Sequence, residues 1–277
     1  MKNFRNIFLS SVLASILSVG VYGQQGYELG AWIGGAFYTG DLNTQFDITH
    51  PGQAAGLIAR YNFNHRICFK VSGNYGFVRA DDAWSDNAFE QRRNINFRSH
   101  IGDLSGQLEF NFFPYFHGSR DHFYTPYLFA GFSIFTYNPY AIYNDEKTPP
   151  LRDLGTEGQF IGEEYSTFQR GINFGAGLKF DLTDEWSLNV ELSFRKLFTD
   201  YLDDVSTTYP NKGELRGVRG DIAVLASDPS VPDVEGNLFG MEGRQRGDSN
   251  NKDAYHFLQI GIVRYFGNIK CPDISTP

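Results

Sequence analysis

The chain has 277 residues, 16% of them aromatic, with 30 glycines and a formal net charge of −8. An acidic balance without clustered Lys and Arg disfavours nucleic acid as a partner. Cys68 and Cys271 are the only cysteines, which excludes a disulfide-dense scaffold.

Met1–Gly23 reads as a secretory signal peptide. Lys2 and Arg5 precede the apolar run Ile7–Val21, and Val21-Tyr22-Gly23 places small or tolerated residues at the cleavage point. The mature chain is expected to begin at Gln24, and loss of Lys2 and Arg5 takes its net charge to −10. Beyond Gln24 no apolar stretch approaches the roughly 18 residues of a spanning helix. The mean hydropathy of −0.35 is that of a soluble protein. A membrane barrel hides its hydrophobicity in alternation, so this value does not argue against one.

A two-residue stride gives eight alternating segments. The first, about Tyr27–Tyr38, sets Leu29, Ala31, Ile33 and Phe37 against Glu28, Trp32 and Gly34. The second is about Gln53–Asn62, with Leu57 opposite Arg60 in parity. The third is about Arg66–Arg79, with Phe69 and Val71 opposite Cys68 and Lys70. The fourth, about Asn96–Phe113, sets Leu104, Leu108 and Phe110 against Asp103, Ser105 and Glu109. The fifth is about Phe123–Tyr137. The sixth, about Gln169–Asp181, opposes Phe174 and Leu178 to Asn173 and Lys179. The seventh, about Trp186–Arg195, opposes Val190 and Leu192 to Glu191 and Arg195. The eighth is about Tyr255–Phe266, with less distinct faces and Arg264 on the apolar side near a rim.

Connections alternate between short (62–66, 114–122, 181–185) and long (39–52, 80–95, 138–168, 199–254). A soluble sandwich has no reason to keep every second connection short, whereas a barrel threaded through a membrane does. Tyr27, Tyr61, Phe63, Tyr115, Phe116, Tyr124, Trp186 and Phe266 fall at the short-turn ends, as an interfacial aromatic belt requires. The expected fold is all-β: an eight-stranded antiparallel transmembrane β-barrel of up-and-down topology. It spans residues 24–266, with residues 267–277 as a periplasmic tail and outer-membrane lipid around it.

An eight-strand interior is just wide enough for side chains to fill it. Arg60, Lys70, Lys179 and Arg195 are expected there facing Glu28, Asp103, Glu109 and Glu191. That set reads as an internal charge network and argues against a diffusion pore. Asp200, Asp203 and Asp204 offer the hard oxygen ligands of a divalent-cation site, but their spacing departs from an EF-hand loop. A solvated or capping acidic loop is the expectation. His100 and Ser105 have opposite parity on one strand and form no nucleophile–base pair there. No cofactor and no metal are expected. Cys68 is expected in the lumen. For Cys68 and Cys271 an internal bridge, a bridge to a partner and unpaired thiols all stay open.

Two segments are more specific. Phe198-Thr199-Asp200-Tyr201-Leu202-Asp203-Asp204-Val205-Ser206-Thr207-Thr208-Tyr209 follows the seventh strand, and Gln245-Arg246-Gly247-Asp248-Ser249-Asn250-Asn251-Lys252-Asp253-Ala254-Tyr255 leads into the eighth. With Tyr27-Glu28-Leu29-Gly30 and Tyr38-Thr39-Gly40-Asp41-Leu42, they resemble the PorG-like outer-membrane barrel family of Bacteroidetes-type bacteria. The resemblance covers essentially the whole mature chain. It implies a non-enzymatic accessory of the type IX secretion system, beside the periplasmic ring formed by the PorK lipoprotein and PorN. It also implies a structural role for Asp200, Tyr201, Asp203, Asp204 and Ser206 in folding the last loop, and makes the Cys271 tail a candidate docking element. A surface adhesin or ligand-binding barrel and an outer-membrane lipid-modifying enzyme are the alternatives.

Overall fold

The computed structural model describes residues 25–44 and 48–268. The signal-peptide assignment and Cys271 fall outside the described residues. Eight strands close into an antiparallel barrel: β1 (Gly26–Thr39), β2 (Gly52–Asn62), β3 (Ile67–Asp81), β4 (Asn96–Asn111), β5 (Tyr124–Tyr137), β8 (Phe168–Asp181), β9 (Trp186–Leu197) and β10 (Ala254–Gly267). Each pairs with its neighbour in sequence, and β1 closes on β10. A two-stranded hairpin, β6 (Ile142–Tyr143) and β7 (Glu146–Lys147), lies within the third long loop.

Closure leaves no free strand edge, so every strand bonds on both sides. Alternation then sorts the residues. Leu29, Ile33, Leu57, Leu104, Leu108, Phe132, Phe174, Ile260 and Ile262 are exposed on the outer wall, while Glu28, Arg60, Lys70, Glu109, Lys179 and Arg195 are buried inside. The interior is filled partly by rings lying across glycines. Tyr127 and Phe129 sit opposite Gly177 and Gly175. A Cβ on Gly177 would lie 2.5 Å from the Tyr127 ring, and one on Gly175 would lie 2.6 Å from Phe129. Any side chain at these two positions would evict an aromatic ring.

The short turns are tight. The Asn64 side chain accepts the backbone N–H groups of Arg66 and Ile67, each at 2.8 Å. Thr183 Oγ1 accepts from Trp186 N at 3.1 Å. Around this end Tyr27, Phe63, Phe112, Phe113, Phe123, Tyr124, Trp186 and Phe266 are exposed. Tyr115 departs from the expected belt. It is buried and its hydroxyl donates to Asp181, because the 112–123 turn folds inward under the barrel.

Pro149-Pro150 and Pro229–Pro232 lie in irregular stretches of the long connections, but those connections are not irregular throughout. They carry α1 (Ala88–Arg93), α2 (Leu151–Leu154), α3 (Lys212–Arg219) and α4 (Asp221–Ser227). Asn87 caps α1 by accepting from Phe89 N, and Asn211 caps α3 by accepting from Gly213 and Glu214. Leu151, Leu154, Leu215, Ala223 and Ala226 are buried together with Leu202 and Val205, in one apolar cluster that continues into the barrel through Tyr38, Phe97, Tyr137 and Tyr255.

Candidate functional site

Two layers of charge fill the lumen. In the lower layer, nearer the short turns, Glu109 stands at the centre. Its carboxylate meets Arg60 Nε at 2.8 Å, Lys70 Nζ at 3.1 Å and Lys179 Nζ at 2.7 Å. Arg60 also pairs with Glu28, and Lys70 with Glu191. Asn62 donates to Glu28 at 2.6 Å and the Tyr127 hydroxyl donates to Glu191 at 2.6 Å. In the upper layer Arg195 Nε lies 3.2 Å from Asp103, which also accepts from Tyr255 Oη at 2.8 Å and from Asn74. All eight residues named from the sequence for the lumen therefore meet in ion pairs. Unpaired charges at such depth are very costly, so complete pairing is what makes this interior tenable.

His117 closes the lower end, and nothing in the sequence pattern marked it. Its ring lies 3.1 Å from Glu28 on one side and 3.1 Å from Asp181 on the other. Burial disfavours the charged ring, but these two carboxylates outweigh it and hold the pKa up at about 9. Cys68 is buried in the same layer, with Lys179 Nζ 3.9 Å from its sulfur.

Above the upper layer the lumen is packed with Trp32, Phe97, Phe135, Tyr137, Tyr255 and Phe257, all buried. The cap begins there. The Tyr38 hydroxyl contacts Asp203 at 2.5 Å and Asp253 at 3.1 Å. A phenol has one proton to give, so the second contact needs a proton on a carboxyl. Burial raises both Asp203 and Asp253, and the nearby carboxylates raise them further. Asp204 accepts from Thr156 and from Tyr165 at 2.7 Å. Arg246 lies 3.6 Å from Asp204 and 3.2 Å from Glu157, which in turn accepts the Ser206 and Thr207 backbone N–H groups at 2.8 and 3.0 Å. Tyr201 stacks on Tyr165 at 4.6 Å.

The Asp200–Ser206 segment is therefore not a solvated acidic loop. Asp200, Asp203, Asp204 and Ser206 are all buried, because the 138–168 loop folds over them. Burial pushes the Asp200 carboxyl up to about 7. The first two long loops join through Arg93, which grips Asp82 with two bonds of 2.7 Å and donates to the Asp41 carbonyl at 2.9 Å. Among the described residues no group of three His, Cys, Asp or Glu is placed to hold a metal ion. His100 faces outward on β4, whereas Ser105 faces the lumen and bonds Ser72 at 2.8 Å.

The family model described as a domain of unknown function, DUF6089, matches residues 6–223. The chain belongs to the DUF6089 family. No curated protein matches it in sequence. Among solved structures, the outer membrane protein OprG from Pseudomonas aeruginosa aligns at 10% identity and a TM-score of 0.44, covering 90% of this chain and 100% of that one. Neisserial surface protein A aligns at 10% and 0.42, covering 88% and 99%. Ail of Yersinia pestis, solved with the heparin analogue sucrose octasulfate, aligns at 10% and 0.37, covering 88% and 99%. The family match ends within α4, so β10 and the Arg246–Asp253 half of the cap lie beyond it.

Proposed function

We propose that this DUF6089 member is an outer-membrane barrel that works as a docking component of a secretion machine, the type IX system implied by its resemblance to PorG-like barrels. The carrying observation is the interior. A lumen filled by mutually paired charges and aromatic rings leaves no route for solutes, so function falls to the surfaces. The membrane reading is supported by the inverted sorting of side chains, with charges inside and exposed aliphatic and aromatic residues outside. The long-loop end is then extracellular and the short turns are periplasmic. A periplasmic ring such as PorK and PorN would meet the short turns and the tail from Gly267 onward.

The test is purification of the tagged chain in mild detergent with identification of what comes with it. Ring components should be recovered with the wild type and reduced by removal of residues 267–277. Recovery of the barrel alone from membranes that contain the ring would sink the docking role.

A second reading, ligand capture at the extracellular end, draws on one feature. A cleft of about 490 Å³ opens between the first two long loops, where His50 stacks on Trp84 at 4.0 Å. Glycan-array binding that is lost in Trp84→Ala would favour this reading.

A further inference from the structure

The outer wall should be apolar, yet its long-loop rim carries Arg79 on β3 and Arg98 on β4 directly opposite one another in register. Their inward neighbours Val78 and Phe97 are fully buried, so both arginines face outward. Like charges directly opposite across two strands repel. Among the described residues neither arginine has a carboxylate in ion-pair range. Asp81, at the end of the same face, spends an oxygen on the Ala83 backbone N–H at 2.9 Å. Arg170 and Lys196 continue the outward cations around the rim on β8 and β9. At the opposite rim the outward Arg264 is neutralised by Glu185 at 2.8 Å. Among the described residues a chain of net charge −8 thus carries, at its long-loop rim, outward cations without a carboxylate in ion-pair range, Asp81 acting on Arg98 only at longer distance.

Below the arginine pair the outward Phe77 stands opposite His100, whose ring bonds the Tyr75 hydroxyl at 2.6 Å, and beyond these rings the wall is hollow. Gly73 and Gly102 project no side chain outward, and with Ala31, Ala55, Leu104 and Ile134 they line an apolar depression of about 770 Å³. A Cβ on Gly73 would meet nothing within 4 Å. Gly102 lies four residues from Arg98 along β4, or roughly 13 Å at strand rise. Trp84, with the Arg79 guanidinium 5.6 Å from its ring, sits at the same height as the cations, where an interfacial aromatic belongs.

We infer that this face is a binding site for an anionic lipid of the outer leaflet, with its phosphate between Arg79 and Arg98 and an acyl chain in the Gly73–Gly102 hollow. The charge pair selects phosphate and the hollow selects a chain, and only a lipid supplies both at this spacing. The inference rests on the membrane reading of the barrel.

The test uses the full mature chain in nanodiscs of phosphatidylcholine doped with lipid A, followed by detergent exchange and native mass spectrometry. Wild type should retain lipid A. Arg79→Gln with Arg98→Gln should retain at least tenfold less, and Gly102→Leu, which fills the hollow, should also retain less. Arg264→Gln should retain as much as wild type. Equal retention by the double variant overturns the site, and so does displacement of lipid A by millimolar inorganic phosphate, which would mean a simple anion site. Failure of wild type to enter pure phosphatidylcholine discs overturns the membrane reading instead.

Discussion

Glu109 on β4 and Lys179 on β8 meet at 2.7 Å across the lumen, although β5 separates their strands. The carboxylate serves Arg60 and Lys70 as well, so three cations converge on one acid. Glu109→Gln would keep the volume and remove the charge that all three share. Breaking a buried pair from one side costs about 3–5 kcal/mol, because the abandoned charge stays buried. Unfolding by urea in lipid vesicles should show a loss of that order. A loss below about 1 kcal/mol would mean that the network is hydrated and its pairs are weak.

The outer wall should respond in the opposite way to charge. Leu108 is exposed next to Glu109, one residue along the strand. Leu108→Arg places a cation in lipid and should cost about 2–4 kcal/mol if the site lies near the bilayer midplane. Phe174, Leu178 and Val190 should behave alike. Leu108→Ala should cost much less. The same titration run in detergent, where head groups reach the wall more easily, should shrink the Arg penalty. A penalty of the same size in both media would argue against lipid as the covering solvent.

The two ends of the barrel should respond to pH in different windows. His117 is held charged up to about 9 in the folded state, against an ordinary value of 6.5. Its contribution is complete below about 6.5 and is lost as pH rises through 9, a change of about 3 kcal/mol at most. Thermal denaturation in vesicles from pH 6 to 10 should show that fall in wild type and not in His117→Gln.

In the cap, Asp200 is raised from 3.8 to about 7. A carboxyl raised on folding opposes the fold once the unfolded chain would release its proton. Cap stability should therefore decline from pH 4 to pH 7, by about 2–4 kcal/mol from this group. Asp200→Asn should flatten that decline and slow proteolysis of the long loops at pH 8. An unchanged cleavage rate at both pH 5 and pH 8 would show that Asp200 does not govern the cap.

The strands were legible because a two-residue period is a local property, and one face of each carries the charges while the other carries Leu, Ile and Phe. Glu28, Arg60 and Glu109 could be placed inside by parity alone. Their partners needed only closure of the barrel. The cap was not legible. Tyr38 and Asp203 are 165 residues apart, and no periodicity links Glu157 to Arg246. Three aspartates in five residues look solvated until the Thr156 and Tyr165 hydroxyls arrive from another loop, and the Tyr38 hydroxyl from the end of β1, to donate to their carboxyl oxygens. The helices α1 to α4 were missed for a related reason: each is at most eight residues long and is stabilised by burial in the cap more than by its own propensity. Asn87 and Asn211, as caps, were the available signal.

The cap and the barrel should come apart experimentally at Arg246. This side chain is buried, reaches Glu157 and Asp204, donates to the Asp204 carbonyl and contacts the Ser227 carbonyl at 3.2 Å. It therefore ties the 138–168 loop, the Asp200–Ser206 segment and α4 into one body. Arg246→Met keeps the length of the stem and abandons Glu157 and Asp204 without a cation. The expected loss is about 3–5 kcal/mol from the cap, while the lumen pairs around Glu109 and Asp103 are untouched. Limited proteolysis of the protein in vesicles should then cut within residues 138–168 and 198–253 far faster than in wild type. Migration of the unheated sample on a gel should still report a folded barrel. Arg246→Lys should recover only part of the protection, since one ammonium cannot reach Glu157, the Asp204 carbonyl and the Ser227 carbonyl at once. If Arg246→Met instead abolishes the heat-modifiable shift, cap and barrel fold as one unit and Arg246 does not mark a boundary between them.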